Sequence, residues 1–190
     1  MGVPFRNLDP MTAEEFFAFT ETRPDEEKWE LIEGEPIMNP SASYLHQIIV
    51  GNLIISLGSM QRERGFAWVA IPGIGVEVSK TNIPVPDVLV RPRDGLRSWK
   101  CDDMIVAFEV LSPSTQDLDL RWKRQAYPKL ASLQHYVVIA QDGIEVLAYD
   151  RASGFAERRL EDIGLTLDLP TLSVSMPLAE IYRDTGLVSR

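Results

Sequence analysis

Residues 104–111, Met-Ile-Val-Ala-Phe-Glu-Val-Leu, constrain this chain more than any other segment. A run apolar at nearly every position is not a half-exposed strand, which alternates apolar and polar side chains. It reads as the central strand of a sheet covered on both faces. The exception inside it is Glu109. Burying an unpaired carboxylate costs several kcal/mol, so a compensating group is required: a cationic side chain, a proton held by a raised pKa, or a metal ion. Strand alternation puts Ile105, Ala107, Glu109 and Leu111 on one face.

The rest of the chain supplies layers to cover that strand. Thr12 with Glu14 and Glu15 predicts an N-capped helix ending before Arg23-Pro24. A hairpin is expected over Trp29–Met38, turning at Glu33-Gly34. Apolar residues from Leu45 to Leu57, at three- and four-residue steps, predict a helix over 43–61. Strands are expected over 67–78, 85–90 and 104–111, followed by a helix over 116–131 capped by Ser114 or Thr115 and kinked at Pro128. Strands over 136–140, 145–150 and 155–160, one near 172–174 and a short helix over 177–182 complete an α/β arrangement with a mixed sheet. With 190 residues, 45% of them apolar, the chain is expected to form a single domain over 1–190.

Charge and cysteine content narrow the function classes. A net charge of −9 excludes histone-like coating of DNA, because a polyanion is then held by a local basic patch or by bound cations. One cysteine, Cys101, permits no internal disulfide, which favours a cytoplasmic location. The first residues lack a signal-peptide core. The stretch from Pro36 to Gln61 carries no formal charge, but its Asn, Ser, His and Gln residues break it too often for a membrane span. A helix so poor in charge is covered on most sides, either within the fold or in a homodimer contact.

Two further residues join Glu109. Asp87 opens the preceding strand after a proline, where its carboxylate stands at the sheet end at which ligands of α/β folds gather; ordinary Pro-Asp turn chemistry is the alternative. Paired carboxylates on adjacent strands repel unless a cation bridges them, and hard oxygen donors suit Mg2+ or Mn2+. Lys123, on the following helix, reaches back over the strand end, or else forms an exposed pair with Asp119 four residues earlier.

Taken in order, Glu30-Leu31-Ile32-Glu33-Gly34-Glu35, Ser41 to His46, Pro86-Asp87-Val88, Glu109-Val110-Leu111-Ser112-Pro113-Ser114-Thr115, Lys123 with Tyr127, and Tyr136 to Ala140 resemble the Uma family of proposed endonucleases. That family lies within the PD-(D/E)xK, restriction-endonuclease-like superfamily, and the resemblance covers about residues 10–182. It implies a restriction-endonuclease-like mixed sheet flanked by helices, with hydrolysis of DNA phosphodiesters by a Mg2+ (or Mn2+) site. By the same resemblance Asp87, Glu109 and the main-chain carbonyl of Val110 are metal ligands, and Lys123 is the active-site lysine. His46 and Glu30 complete the catalytic surroundings, with Tyr127 and Gln134 in support. Leu111 stands where a Glu-x-Lys motif has its lysine, so that role passes to Lys123.

DNA contact is expected from local charge. Arg91, Arg93, Arg97 and Lys100 form a basic loop between the two acidic strands, and Arg121 with Arg124 forms a second cluster beside Lys123. Both clusters are expected to approach the site. The competing reading keeps the fold as a nucleic-acid-binding or homodimeric interaction module without turnover, in which Glu109 and Lys123 are a buried ion pair.

Overall fold

The computed structural model describes residues 9–24, 26–94, 101–112 and 118–187, with the side chain of residue 118 excepted. Its centre is a six-stranded mixed sheet of β3 (Trp68–Pro72), β4 (Val88–Pro92), β5 (Val106–Val110), β6 (His135–Ile139), β7 (Val146–Asp150) and β8 (Glu157–Leu160), in that spatial order. Neighbours are antiparallel except β5 and β6, which run parallel. The expected central strand is therefore β5, and all five of its residues are buried.

The two faces of β5 meet different layers. Val106, Phe108 and Val110 point to α2 (Tyr44–Arg64), whose stripe Ile49, Leu53 and Leu57 packs into the same core. Ala107 points the other way, toward Tyr127, Tyr136 and Tyr149. Ser43 caps α2 by accepting the His46 amide at 3.1 Å, and Gly65 closes it in the left-handed conformation at φ 64°. The sparse charge of α2 has an internal cause. Its far flank is covered by the hairpin of β9 (Thr166–Leu169) and β10 (Val174–Pro177) and by α4 (Leu178–Ile181), with Asn52 donating to the Ile181 and Arg183 carbonyls. The helix is sandwiched within the fold, the first of its two expected environments. No described helix is long and apolar enough to cross a membrane.

Several boundaries differ from expectation. The strand expected over 67–78 stops at Pro72, where Gly73 takes φ 62°, and the chain then turns so that Ile83 bridges to Leu31. Strand β4 begins at Val88 because Pro84 and Pro86 offer no amide to a ladder. The helix expected over 116–131 is wound in three ways: a π-helical turn over Leu118–Lys123, α3 over Arg124–Ala126, and a 3-10 turn over Tyr127–Lys129 that accommodates Pro128. Its expected caps, Ser114 and Thr115, lie outside the described residues. Strand β9 went unpredicted, and β10 starts later than the expected 172–174, after a 3-10 turn over Pro170–Leu172.

A small third layer closes one end of the sheet. Helix α1 (Ala13–Thr20), held by a capping box between Thr12 and Glu15, packs Phe16 against Leu31 of β1 (Lys28–Ile32) and against Ile83. Strand β1 pairs with β2 (Glu35–Asn39), and Leu31 bridges to Ile83, so the hairpin is anchored to the segment that leads into β4.

Candidate functional site

Strands β4 and β5 set the site. The ladder pairs Val88 with Phe108, so one step beyond it Asp87 stands opposite Glu109. The Asp87 carboxylate accepts the Val110 amide at 2.7 Å and lies 3.1 Å from His46 Nε2. Glu109 turns toward the helical layer, where Tyr127 donates its hydroxyl at 2.8 Å and the Lys123 ammonium sits at 3.0 Å. Glu30 arrives from β1: Lys123 Nζ reaches its Oε1 at 3.2 Å, and Asn39 Nδ2 reaches the same oxygen at 3.0 Å. Asp87, Glu109, His46, Lys123 and Glu30 line one cleft of about 760 Å³, together with Asp119 and the Asn39–Ser43 segment.

The electrostatics of this cleft are unbalanced. Lys123 contacts three carboxylates, Glu30, Glu109 and Asp119, and all four side chains are at most 3% exposed. Burial pushes the Glu109 carboxyl well above the ordinary range; Lys123 opposes the shift, while Asp119, Asp87 and Glu30 reinforce it. Burial disfavours the charge on Lys123 too, but Glu109, Glu30, Asp119 and Asp87 outweigh it and hold the ammonium well above the usual lysine value. Tyr127, buried and beside Glu109 and Glu30, keeps its proton to unusually high pH. The second oxygen of Glu30 is buried with no hydrogen-bond partner among the described residues.

Lys123 comes from the π-helical turn over residues 118–123, where Asp119 and Lys123 face the sheet together and Tyr136 donates to the Asp119 carbonyl at 2.8 Å. The four-residue spacing of Asp119 and Lys123 was visible in the sequence as an exposed pair; the structure corrects this to a buried one at 3.2 Å. Asp119 thus joins the site although the sequence reading passed it over. Its signal was the spacing, and what the spacing could not show was which face of the helix is covered.

Of the expected residues, Asp87, Glu109, Lys123, His46, Glu30 and Tyr127 are brought together, and Val110 presents its amide to Asp87. Gln134 is not: it sits just before β6 and donates to the Ser132 carbonyl. The described basic residues, Arg91, Arg93, Arg121 and Arg124, also go elsewhere, contrary to the expectation that both clusters approach the site. Arg91 lies four residues along β4 from Asp87, ~13 Å at strand rise, and its buried guanidinium pairs with Asp103 at 2.9 Å. Arg93, exposed, lies farther still in the same direction. Arg121 and Arg124 line a separate depression with Phe155 and Pro128, where Arg124 covers the Tyr149 ring and faces Glu157. Arg97 and Lys100 lie outside the described residues.

Hard oxygen donors in excess of cationic partners, with a Glu30 oxygen buried and without a hydrogen-bond partner among the described residues, fit a divalent cation in charge and in chemistry. Among the described residues no group of three or more His, Cys, Asp and Glu side chains converges to hold one. The reason is visible: Lys123 fills the space between Glu30, Glu109 and Asp119, and His46 leans on Asp87. The carbonyl of Val110 supplements the donors, since in a strand the N–H and C=O of one residue face the same edge and the Val110 amide already points at Asp87.

The family model described as "Uma2: Putative restriction endonuclease" matches residues 13–182. A crystal structure described as a putative nuclease belonging to DUF820 from Anabaena variabilis superposes with a TM-score of 0.75 at 17% identity, covering 91% of this chain and 98% of that one. No curated protein matches the sequence. The likeness shows that the fold is shared, and the mixed sheet with flanking helices is the expected restriction-endonuclease-like architecture.

Proposed function

This chain belongs to the Uma2 family, whose model is described as a putative restriction endonuclease, and from that premise and the cleft we propose that it is a divalent-metal-dependent endonuclease of DNA. The observation that carries the reading is the charge imbalance: Glu30, Asp87, Glu109 and Asp119 line one cleft with Lys123 among them. Such a surplus costs stability in the empty protein and has a purpose if a cation completes it.

Asp87, Glu109 and the Val110 carbonyl are the groups that would hold Mg2+ or Mn2+, and an ion held there would supply polarisation of the scissile phosphate and a lowered pKa of a bound water. The remaining work belongs to the chain. Lys123 keeps its proton, so it serves as a donor that orients the water and offsets charge on the phosphate, and not as the base. Tyr127 fixes one oxygen of Glu109, which directs the other toward the cleft. Glu30 and Asp119 hold the ammonium in place from two further sides.

A second reading rests on the 3.0 Å contact between Lys123 and Glu109, which by itself describes a buried ion pair in a module without turnover. One experiment separates them. Nicking of plasmid and single-stranded DNA with Mg2+ or Mn2+ is expected from the wild type and lost by about 10²–10³-fold in Glu109→Ala and Lys123→Ala. Equal activity in all three proteins would overturn the endonuclease reading.

A further inference from the structure

The two histidines of the described chain are held in opposite ways. His135 is bonded through both ring nitrogens, Nδ1 to Asp150 at 2.5 Å and Nε2 to Thr171 at 3.1 Å, as a structural histidine is. His46 has one partner. Its Nε2 lies 3.1 Å from Asp87 Oδ2, its Nδ1 is buried with no partner among the described residues, and the ring lines the cleft. Among the described residues the Asp87 carboxylate is therefore the one polar partner of this imidazole. A Glu30 oxygen in the same cleft is likewise buried with no hydrogen-bond partner among the described residues.

We propose that His46 is a nitrogen ligand of the cation held by Asp87, so that the site selects Mn2+ and later first-row ions over Mg2+. The inference rests on the metal-dependent reading given above. Two neighbouring donors of an octahedral ion, each about 2.2 Å from it, are about 3.1 Å apart. That is the separation between His46 Nε2 and Asp87 Oδ2, so one ion can be taken up between them with little movement of either side chain. Helix α2 fixes the ring: His46 is the third residue of the helix, its amide is capped by Ser43, and Ile49 and Leu53 anchor the following turns in the core. A neutral imidazole in an otherwise oxygen-donor set strengthens binding of Mn2+, Co2+ or Zn2+ far more than of Mg2+, which prefers oxygen and water.

The test is pulsed EPR of Mn2+ bound to the full chain, which detects nitrogen directly coordinated to the ion. The spectrum is expected to show imidazole nitrogen modulation that changes isotope when histidine is supplied as 15N. It is expected to vanish in His46→Gln and to persist in His135→Gln. In competition titrations the wild type prefers Mn2+ over Mg2+, and His46→Gln narrows that preference by about 10- to 100-fold. The isotope exchange needs no substitution, so it decides the matter even if His46→Gln fails to fold. Bound Mn2+ without nitrogen modulation would overturn the proposal and leave the metal-dependent reading standing; failure to bind Mn2+ at all would overturn both.

Discussion

The sheet meets buried charge at both ends of its central strands, and the two ends settle it differently. Away from the cleft, Arg91 of β4 meets Asp103 at 2.9 Å and His135 of β6 meets Asp150 at 2.5 Å, each cationic or imidazole group with one carboxylate. At the cleft, Lys123 faces Glu30, Glu109 and Asp119 at 3.0–3.2 Å, with Asp87 alongside. Folding requires only the one-to-one arrangement, because a matched pair removes most of the desolvation penalty. A three-to-one arrangement is a cost that folding does not explain. On the proposed function it marks the end of the sheet where the chain gives up stability for a ligand.

The comparison breaks most sharply at Lys123. Lys123→Met leaves three buried carboxylates without a cation and is expected to destabilise the fold by about 3–5 kcal/mol in urea unfolding at neutral pH. Arg91→Met, at the matched end, is expected to cost about 1–2 kcal/mol, because the side chain of Asp103 is 36% exposed and can return to water. Equal costs would erase the distinction between the two ends.

Glu109→Gln sharpens the comparison from the other side. In the folded protein the Glu109 carboxyl titrates well above its ordinary value of 4.5, because burial and the surrounding acids disfavour its charge. The folded state therefore binds the proton more tightly than the unfolded one, and stability falls as pH rises from about 4.5 through the folded pKa. The glutamine variant lacks that loss. It is expected to match the wild type in acid and to exceed it by about 1 kcal/mol above the transition, read as melting temperature against pH. Tyr127→Phe removes one hydrogen bond to the same carboxylate and is expected to cost about 1 kcal/mol or less. No comparable change is expected on Tyr149→Phe, whose hydroxyl bonds the partly exposed Glu157.

Much of this was legible from residues 104–111 alone. A strand apolar on both faces with one acid in it foretold both the central position of β5 and a compensated Glu109. The family resemblance added His46 and Glu30, which no local pattern singles out and which tertiary packing carries to the cleft from α2 and β1. What stayed illegible has physical causes. Arg91 and Arg93 looked like a basic mouth because they follow Asp87 closely in sequence, yet a strand carries its two ends to opposite sides of the sheet. The pair of Asp119 and Lys123 looked exposed because a four-residue spacing puts both on one face of a helix without showing whether that face is covered, and here it is. Strand β9 did carry a signal in the alternation of Leu165, Leu167 and Leu169, with Leu167 and Leu169 buried and Asp168 outward, but it is short and ends at Pro170.

If the surplus of acid at the cleft is reserved for a divalent cation, melting temperature rises with Mn2+ concentration. The wild type is expected to gain stability with added Mn2+, by about 2.7 kcal/mol at one hundred times the dissociation constant. Glu109→Gln is expected to start higher without metal and to gain much less, so that the two curves approach or cross. Equal gains in both proteins, or a wild type indifferent to Mn2+, would contradict the account.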